Sequence, residues 1–176
     1  CFVAWGDKLA SEGPAAFYSA DYFADYPPGY ILVLGLVSLV RKALQLSYES
    51  RWTYFLLALI PAICDCAAVV LLDHISRRYM GQGRAQRCLV LFAAFCPLTL
   101  FDTGIWKQID GAFALPLLLC FWLLEERRYL LAAVLYGVAL AIKPQALLAG
   151  PVLAVCFLVA IADAVRDGKS PLKSVG

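Results

Sequence analysis

The sequence predicts an all-α integral membrane protein, a polytopic bundle of about five transmembrane helices with interfacial or re-entrant helices at its external face. Three observations carry this. The first is composition: 62% of the residues are hydrophobic and 16% charged, with mean hydropathy +0.76, against about 45–50% and about 25% in soluble domains. The second is a series of uncharged apolar runs separated by short polar loops. The third is the placing of the basic residues in those loops. A net charge of +2, distributed in this way, argues against a nucleic-acid partner and for a membrane.

Taken in order, residues 1–12 set Phe2, Trp5 and Leu9 at helical spacing among Asp7, Lys8 and Glu12, as in a short interfacial helix closed by Gly13-Pro14. The Tyr- and Asp-rich stretch 17–28 ends on Asp25-Tyr26-Pro27-Pro28 and must be extended or turning. Residues 30–40 form an apolar run of eleven, halted by Arg41 and Lys42. That run is too short for the roughly 20 residues of a span and reads as interfacial or re-entrant. Residues 52–79 are the longest candidate span, interrupted by Asp65 and Asp73 and closed by Arg77 and Arg78. Runs of fourteen follow at 88–101, 111–124 and 129–142, then one of nineteen at 144–162. Pro97 and Pro116 mark kinked or broken helices. The expected organisation is an external region over 1–51 and a helix bundle over 52–176, part of one membrane domain. Cys1 opens the chain without a Met or a signal-peptide pattern and a basic tail closes it, so an internal segment of a longer protein is expected.

The seven cysteines (Cys1, Cys64, Cys66, Cys88, Cys96, Cys120 and Cys156) lie mostly in apolar runs, and His74 is the single histidine. They read as small hydrophobes, and no zinc set is expected.

The basic residues also orient the chain. If 30–40 does not cross, Arg77, Arg78, Arg84, Arg87, Arg127, Arg128, Arg166, Lys169 and Lys173 fall on one side. Lys8, Arg41, Lys42, Arg51, Lys107 and Lys143 fall on the other. The first, clustered group reads as cytoplasmic. Asp21, the 25–28 turn, Asp102, the Trp106-Lys107-Gln108-Ile109-Asp110 stretch and the Lys143-Pro144-Gln145 corner then share the non-cytoplasmic face.

Candidate functional residues come from that face. Asp102, Gln108 and Asp110 crowd one short connection, with Trp106 offering an apolar ring face for stacking. Asp25 and Tyr26 sit in a rigid Pro-Pro turn, where Asp25 either binds a ligand or caps the next helix. Lys143, beside Gln145, either stabilises developing negative charge or snorkels at the interface. Asp65, inside its span, requires a neighbouring partner. Asp73 and Arg77 form an i,i+4 pair.

The motifs DYPPGY (25–30), PAICD (61–65), FDTGIWKQIDGAF (101–113) and IKPQALLAGP (142–151) occur in an order that resembles the GT-C membrane glycosyltransferases. The resemblance is to bacterial relatives of the GPI mannosyltransferases and of the glucosyltransferases that use dolichyl-phosphate glucose. It implies a hexosyltransferase of the cell membrane, taking mannose or glucose from a polyprenyl-phosphate donor to a glycan or lipid hydroxyl outside. The lipid-linked sugar is then a co-substrate and no cofactor is needed, although a divalent cation is compatible with the reaction. The resemblance places the main catalytic aspartate upstream of Cys1, with Asp7 a poorly matched stand-in. The family's loop more often reads W-G-Q-x-D, and Lys107 takes the glycine place. The alternative reading is a secondary transporter with Asp65 and Asp73 as an ion relay, which would call for internal repeats; none is evident.

Overall fold

A computed structural model describes residues 1–18 and 23–166; Asp21, Lys169 and Lys173, used above for orientation, lie outside the described residues. All described secondary structure is helical: α1 (Phe2–Glu12), α2 (Pro14–Phe17), α3 (Pro28–Ala43), α4 (Arg51–Met80), α5 (Arg84–Ala94), α6 (Pro97–Phe101), a π turn (Asp102–Trp106), α7 (Asp110–Glu125), α8 (Tyr129–Ile142), a 3-10 segment (Pro144–Ala149) and α9 (Gly150–Arg166).

Local chemistry accounts for most of the boundaries. The extended Ser50 caps α4, its side chain accepting from the Trp52 amide at 3.3 Å. Arg77 and Arg78 occupy the last turn of α4 and Gly81 (φ 65°) ends it. Pro28 and Pro97 stand in the first turns of α3 and α6, where the missing amide hydrogen costs nothing. Pro97 also splits the apolar stretch after α5. Asp25 does not cap α3; Pro27 holds that place without a side-chain bond. The run from Pro144 starts as a 3-10 turn before becoming α9.

Three helical segments are long and apolar enough to cross a membrane: Arg51–Met80, Arg84–Trp106 and Pro144–Ala162. The shorter α7 and α8, 16 and 14 residues, measure about 24 and 21 Å. They are joined by a tight turn at 126–128 in which Arg127 adopts φ 59°. Large apolar residues stand exposed along the bundle, among them Val70, Phe92, Leu148 and Leu158. Water would penalise such a surface, whereas hydrocarbon does not.

Two clusters of buried residues organise the packing. One unites Trp5 and Leu9 of α1 with Ile31 and Leu34 of α3, and with Leu57, Ile109 and Ala112. Close approach is possible because Gly6 faces the Leu34 carbonyl and Gly29 the Ala141 carbonyl, where any Cβ would collide with backbone. The other cluster gathers Cys120, Leu123, Ala132 and Leu153 around α7, α8 and α9. A charged latch closes the end of the bundle away from Gln108: Arg78 bonds Glu126 and lies 3.7 Å from Glu125.

Candidate functional site

The site forms where α4, α6, the π turn and the start of α7 meet. A cleft of about 400 Å³ is walled by Asp65, Leu98, Thr99, Asp102, Thr103, Asp110, Gly111, Phe113 and Ala114. Three carboxylates on an otherwise mainly apolar wall give it a mixed character. α7 comes this close to α4 because residue 111 is glycine: a Cβ there would strike the Asp65 carboxylate and the Pro61 carbonyl. Pro61 and Asp65 are one turn apart in PAICD, so that motif builds the seat for the glycine after Asp110.

Each carboxylate is held differently. Asp65 accepts from the Thr103 hydroxyl at 2.6 Å, which supplies the partner that its depth demands and pins the π turn to α4. Asp110, in the first turn of α7 where negative charge is favoured, bonds Lys143 from the far end of the antiparallel α8. The Lys143 side chain is 12% exposed and that of Asp110 44%, and the ammonium also lies over the Phe113 ring at 5.7 Å. The carboxylate faces the cleft, and the ammonium sits behind it, away from the lining. Asp102 contributes the remaining charge, and its carbonyl accepts from the Gln108 backbone N–H at 3.1 Å.

Behind the cleft, Phe2, Trp5, Tyr26 and Tyr30 pack edge-to-face or tilted with centroids 4.9–5.9 Å apart. The Tyr26 hydroxyl donates to Gln108 Oε1 at 3.2 Å, tying the DYPPGY turn to the 101–113 loop. Burial, then the charges of Asp25, Asp110 and Asp102, push the Tyr26 phenol above its ordinary pKa, so it stays a donor throughout the physiological range. With Oε1 engaged, the side-chain amide hydrogens of Gln108 have no hydrogen-bond partner among the described residues.

Among the residues expected from the sequence, the structure brings Asp102 and Asp110 into the cleft. It sets Gln108, Tyr26 and Lys143 one or two bonds behind them. Asp25 is exposed near Tyr26. Trp106 is exposed, its ring edge-on to Phe101 at 5.9 Å, and Gln145 is exposed on the 3-10 segment. Asp7 does not face this site: both its oxygens are engaged by Arg41 at 2.7 and 2.8 Å, and Ser38 bonds it as well. Asp73 bonds Arg77 and Gln86 at the opposite end of α4, so Asp65 and Asp73 each have their own partners and are not linked in a relay. Thr103 and Gly111 were not singled out from the sequence. Their roles depend on Asp65, distant in the chain, and only the small-residue pattern DTG…DG hinted at close packing. Among the described residues no group of three or more His, Cys, Asp or Glu side chains is arranged to hold a metal ion.

Lys107 adopts φ 59°, ψ 33°, the left-handed conformation that glycine takes freely and an L side chain enters at about 1–2 kcal/mol. Its ammonium bonds the Gly104 carbonyl within the same loop. Lys107→Gly is therefore expected to raise stability by about 1 kcal/mol, read as a higher midpoint of thermal unfolding in detergent; a lower midpoint would show that the Gly104 bond outweighs the backbone strain.

The family model described as glycosyltransferase family 87 matches residues 23–164. No curated protein and no solved structure matches the chain. The matched stretch contains α3 through most of α9 and with them every wall of the cleft, and the chain belongs to glycosyltransferase family 87, a GT-C type membrane glycosyltransferase family.

Proposed function

We propose that this glycosyltransferase transfers a hexose, mannose or glucose, from a polyprenyl-phosphate donor to a hydroxyl of a glycan or lipid acceptor at the non-cytoplasmic face of the membrane. The observation that supports this best is the cleft itself. Carboxylates stand beside Leu98, Phe113 and Ala114, and a lipid-linked sugar presents the same pairing of hydroxyls and hydrocarbon.

In this reading Asp102 and Asp110 accept hydrogen bonds from sugar hydroxyls, and the free amide hydrogens of Gln108 donate to a sugar or phosphate oxygen. Trp106 offers its exposed ring to the apolar face of the sugar. Asp25, Tyr26 and Gln145 shape the rim. Lys143 acts through Asp110, holding the carboxylate aimed at the cleft; it reaches a departing phosphate only if that pair opens. No residue among these is assigned as the general base.

The test is hexose transfer by the full-length protein in proteoliposomes, with polyprenyl-phosphate mannose and polyprenyl-phosphate glucose offered separately and membrane lipids as acceptors. One of the two donors is expected to support transfer. Transfer from a sugar nucleotide and from neither lipid donor would refute the donor assignment. Gln108→Ala should slow turnover roughly fivefold, the equivalent of about 1 kcal/mol for one hydrogen bond; an unchanged rate would remove Gln108 from the site.

A further inference from the structure

At the other end of α4, about 18 Å along the helix from Asp65 to Arg77, a second cleft of about 420 Å³ opens between α4 and α5. Its walls are Asp73, Arg77, Gln82, Gln86, Arg87, Val90 and Leu91. Its floor is a hydrogen-bonded network: the buried Gln86 side chain donates to Asp73 Oδ1 at 2.8 Å and to the Ser76 hydroxyl at 3.1 Å. Asp73 also pairs with Arg77 at 2.7 Å. The floor is therefore fully satisfied and rigid, and Asp73 offsets the charge of Arg77.

Arg87 is different. Its guanidinium is exposed and makes no hydrogen bond or ion pair among the described residues. The same is true of Arg84, one turn earlier on α5. Arg87 also begins a stripe at helical spacing, Arg87, Leu91, Phe95, whose two apolar members are 57% and 69% exposed. A cation thus stands at the mouth of a cleft from which bare hydrocarbon side chains run along α5 to its C-cap Phe95, within the Arg84–Trp106 segment that is long and apolar enough to cross a membrane.

We infer that this cleft binds an anionic phospholipid, its phosphate on Arg87 and its acyl chain along Leu91 and Phe95. Neither part suffices alone. Basic residues near a membrane attract anionic lipid diffusely, at about 1 kcal/mol each. What localises the lipid is the rigid cleft, with Gln82 as a further polar contact and Val90 and Leu91 as a wall for the glycerol and the first methylenes. The occupant is a membrane lipid and not a soluble phosphate, because the apolar stripe has no use for a ligand without a tail. The site is separate from the sugar-transfer cleft and does not depend on its assignment.

Native mass spectrometry of the full chain released from detergent tests this, with phosphatidylglycerol, phosphatidylcholine and glycerol phosphate as the three probes. Phosphatidylglycerol should be retained in preference to phosphatidylcholine, and millimolar glycerol phosphate should not displace it. Arg87→Gln should weaken retention roughly fivefold, the equivalent of about 1 kcal/mol per arginine, with Arg87→Lys intermediate. Arg87 is exposed and unpaired, so both variants should fold. Arg128→Gln, which removes a basic residue from the same end of the bundle but outside the cleft, should leave retention unchanged. An equal loss in Arg128→Gln would reduce the preference to diffuse attraction and overturn the site. Displacement by glycerol phosphate, or full retention in Arg87→Gln, would overturn it as well.

Discussion

Asp110→Asn is expected to lower hexose transfer by about a hundredfold in proteoliposomes, the scale on which misplacing a bound substrate is felt. The reasoning starts from the asymmetry of the Asp110–Lys143 pair. The ammonium is nearly covered and touches Phe113, while the carboxylate is almost half exposed and lines the cleft. Asparagine keeps the shape of the side chain but loses the charge that organises sugar hydroxyls, and it leaves Lys143 with a weaker partner in a covered place. The substitution therefore does two things, and a second variant separates them. Lys143→Met added to Asp110→Asn removes the stranded ammonium and should restore most of any lost thermal stability. If Asp110 touches the sugar, the double variant stays inactive. Recovery of turnover in the double variant would show that Asp110 serves only to hold Lys143, and normal turnover in Asp110→Asn alone would eliminate both roles.

Much of the architecture could be read from the chain because its determinants are local. Proline and glycine at helix ends, uncharged runs and basic last turns place α3, α4, α7 and α8 within a few residues of where they stand. The crowding of Asp102, Gln108 and Asp110 is likewise local, a property of one connection. What could not be read is pairing across the bundle. Thr103 meets Asp65, Lys143 meets Asp110 and Tyr26 meets Gln108 across 38, 33 and 82 positions of chain. Each pair exists only because two helices approach, and the approach of α7 to α4 hinges on a missing Cβ at Gly111. Lys143 shows the consequence: as a residue at a helix end it looks free to meet a phosphate, and only the antiparallel α7–α8 hairpin reveals that Asp110 already engages it.

The same blindness applies to Asp7 and Arg41, and here the expected effect is on stability. Arg41→Met should destabilise the protein by about 3 kcal/mol, seen as a fall of roughly 6–12 °C in the thermal midpoint in detergent. The Arg41 side chain is 11% exposed and that of Asp7 27%. The guanidinium bonds both Asp7 oxygens through Nη2 and, through Nη1, the Leu46 carbonyl at 2.9 Å. It thereby fastens α1 to the end of α3 and to the turn that follows. Removing it strands a covered carboxylate, whereas removing both charges does not, so Asp7→Asn with Arg41→Met should be markedly more stable than Arg41→Met alone. Burial works against the charge of Asp7, but its bonds to Ser38 and Arg41 and the nearby charges of Arg41 and Lys42 outweigh it and hold the pKa below the ordinary value. A carboxyl whose folded pKa is depressed contributes stability that is fully present above its unfolded pKa, about 4. That contribution is lost as pH falls from there through the lower folded value. The thermal midpoint of the wild type should accordingly drop more steeply with acidification in this window than that of the double variant. Parallel pH profiles for the two would mean that the pair contributes nothing to holding α1 on α3.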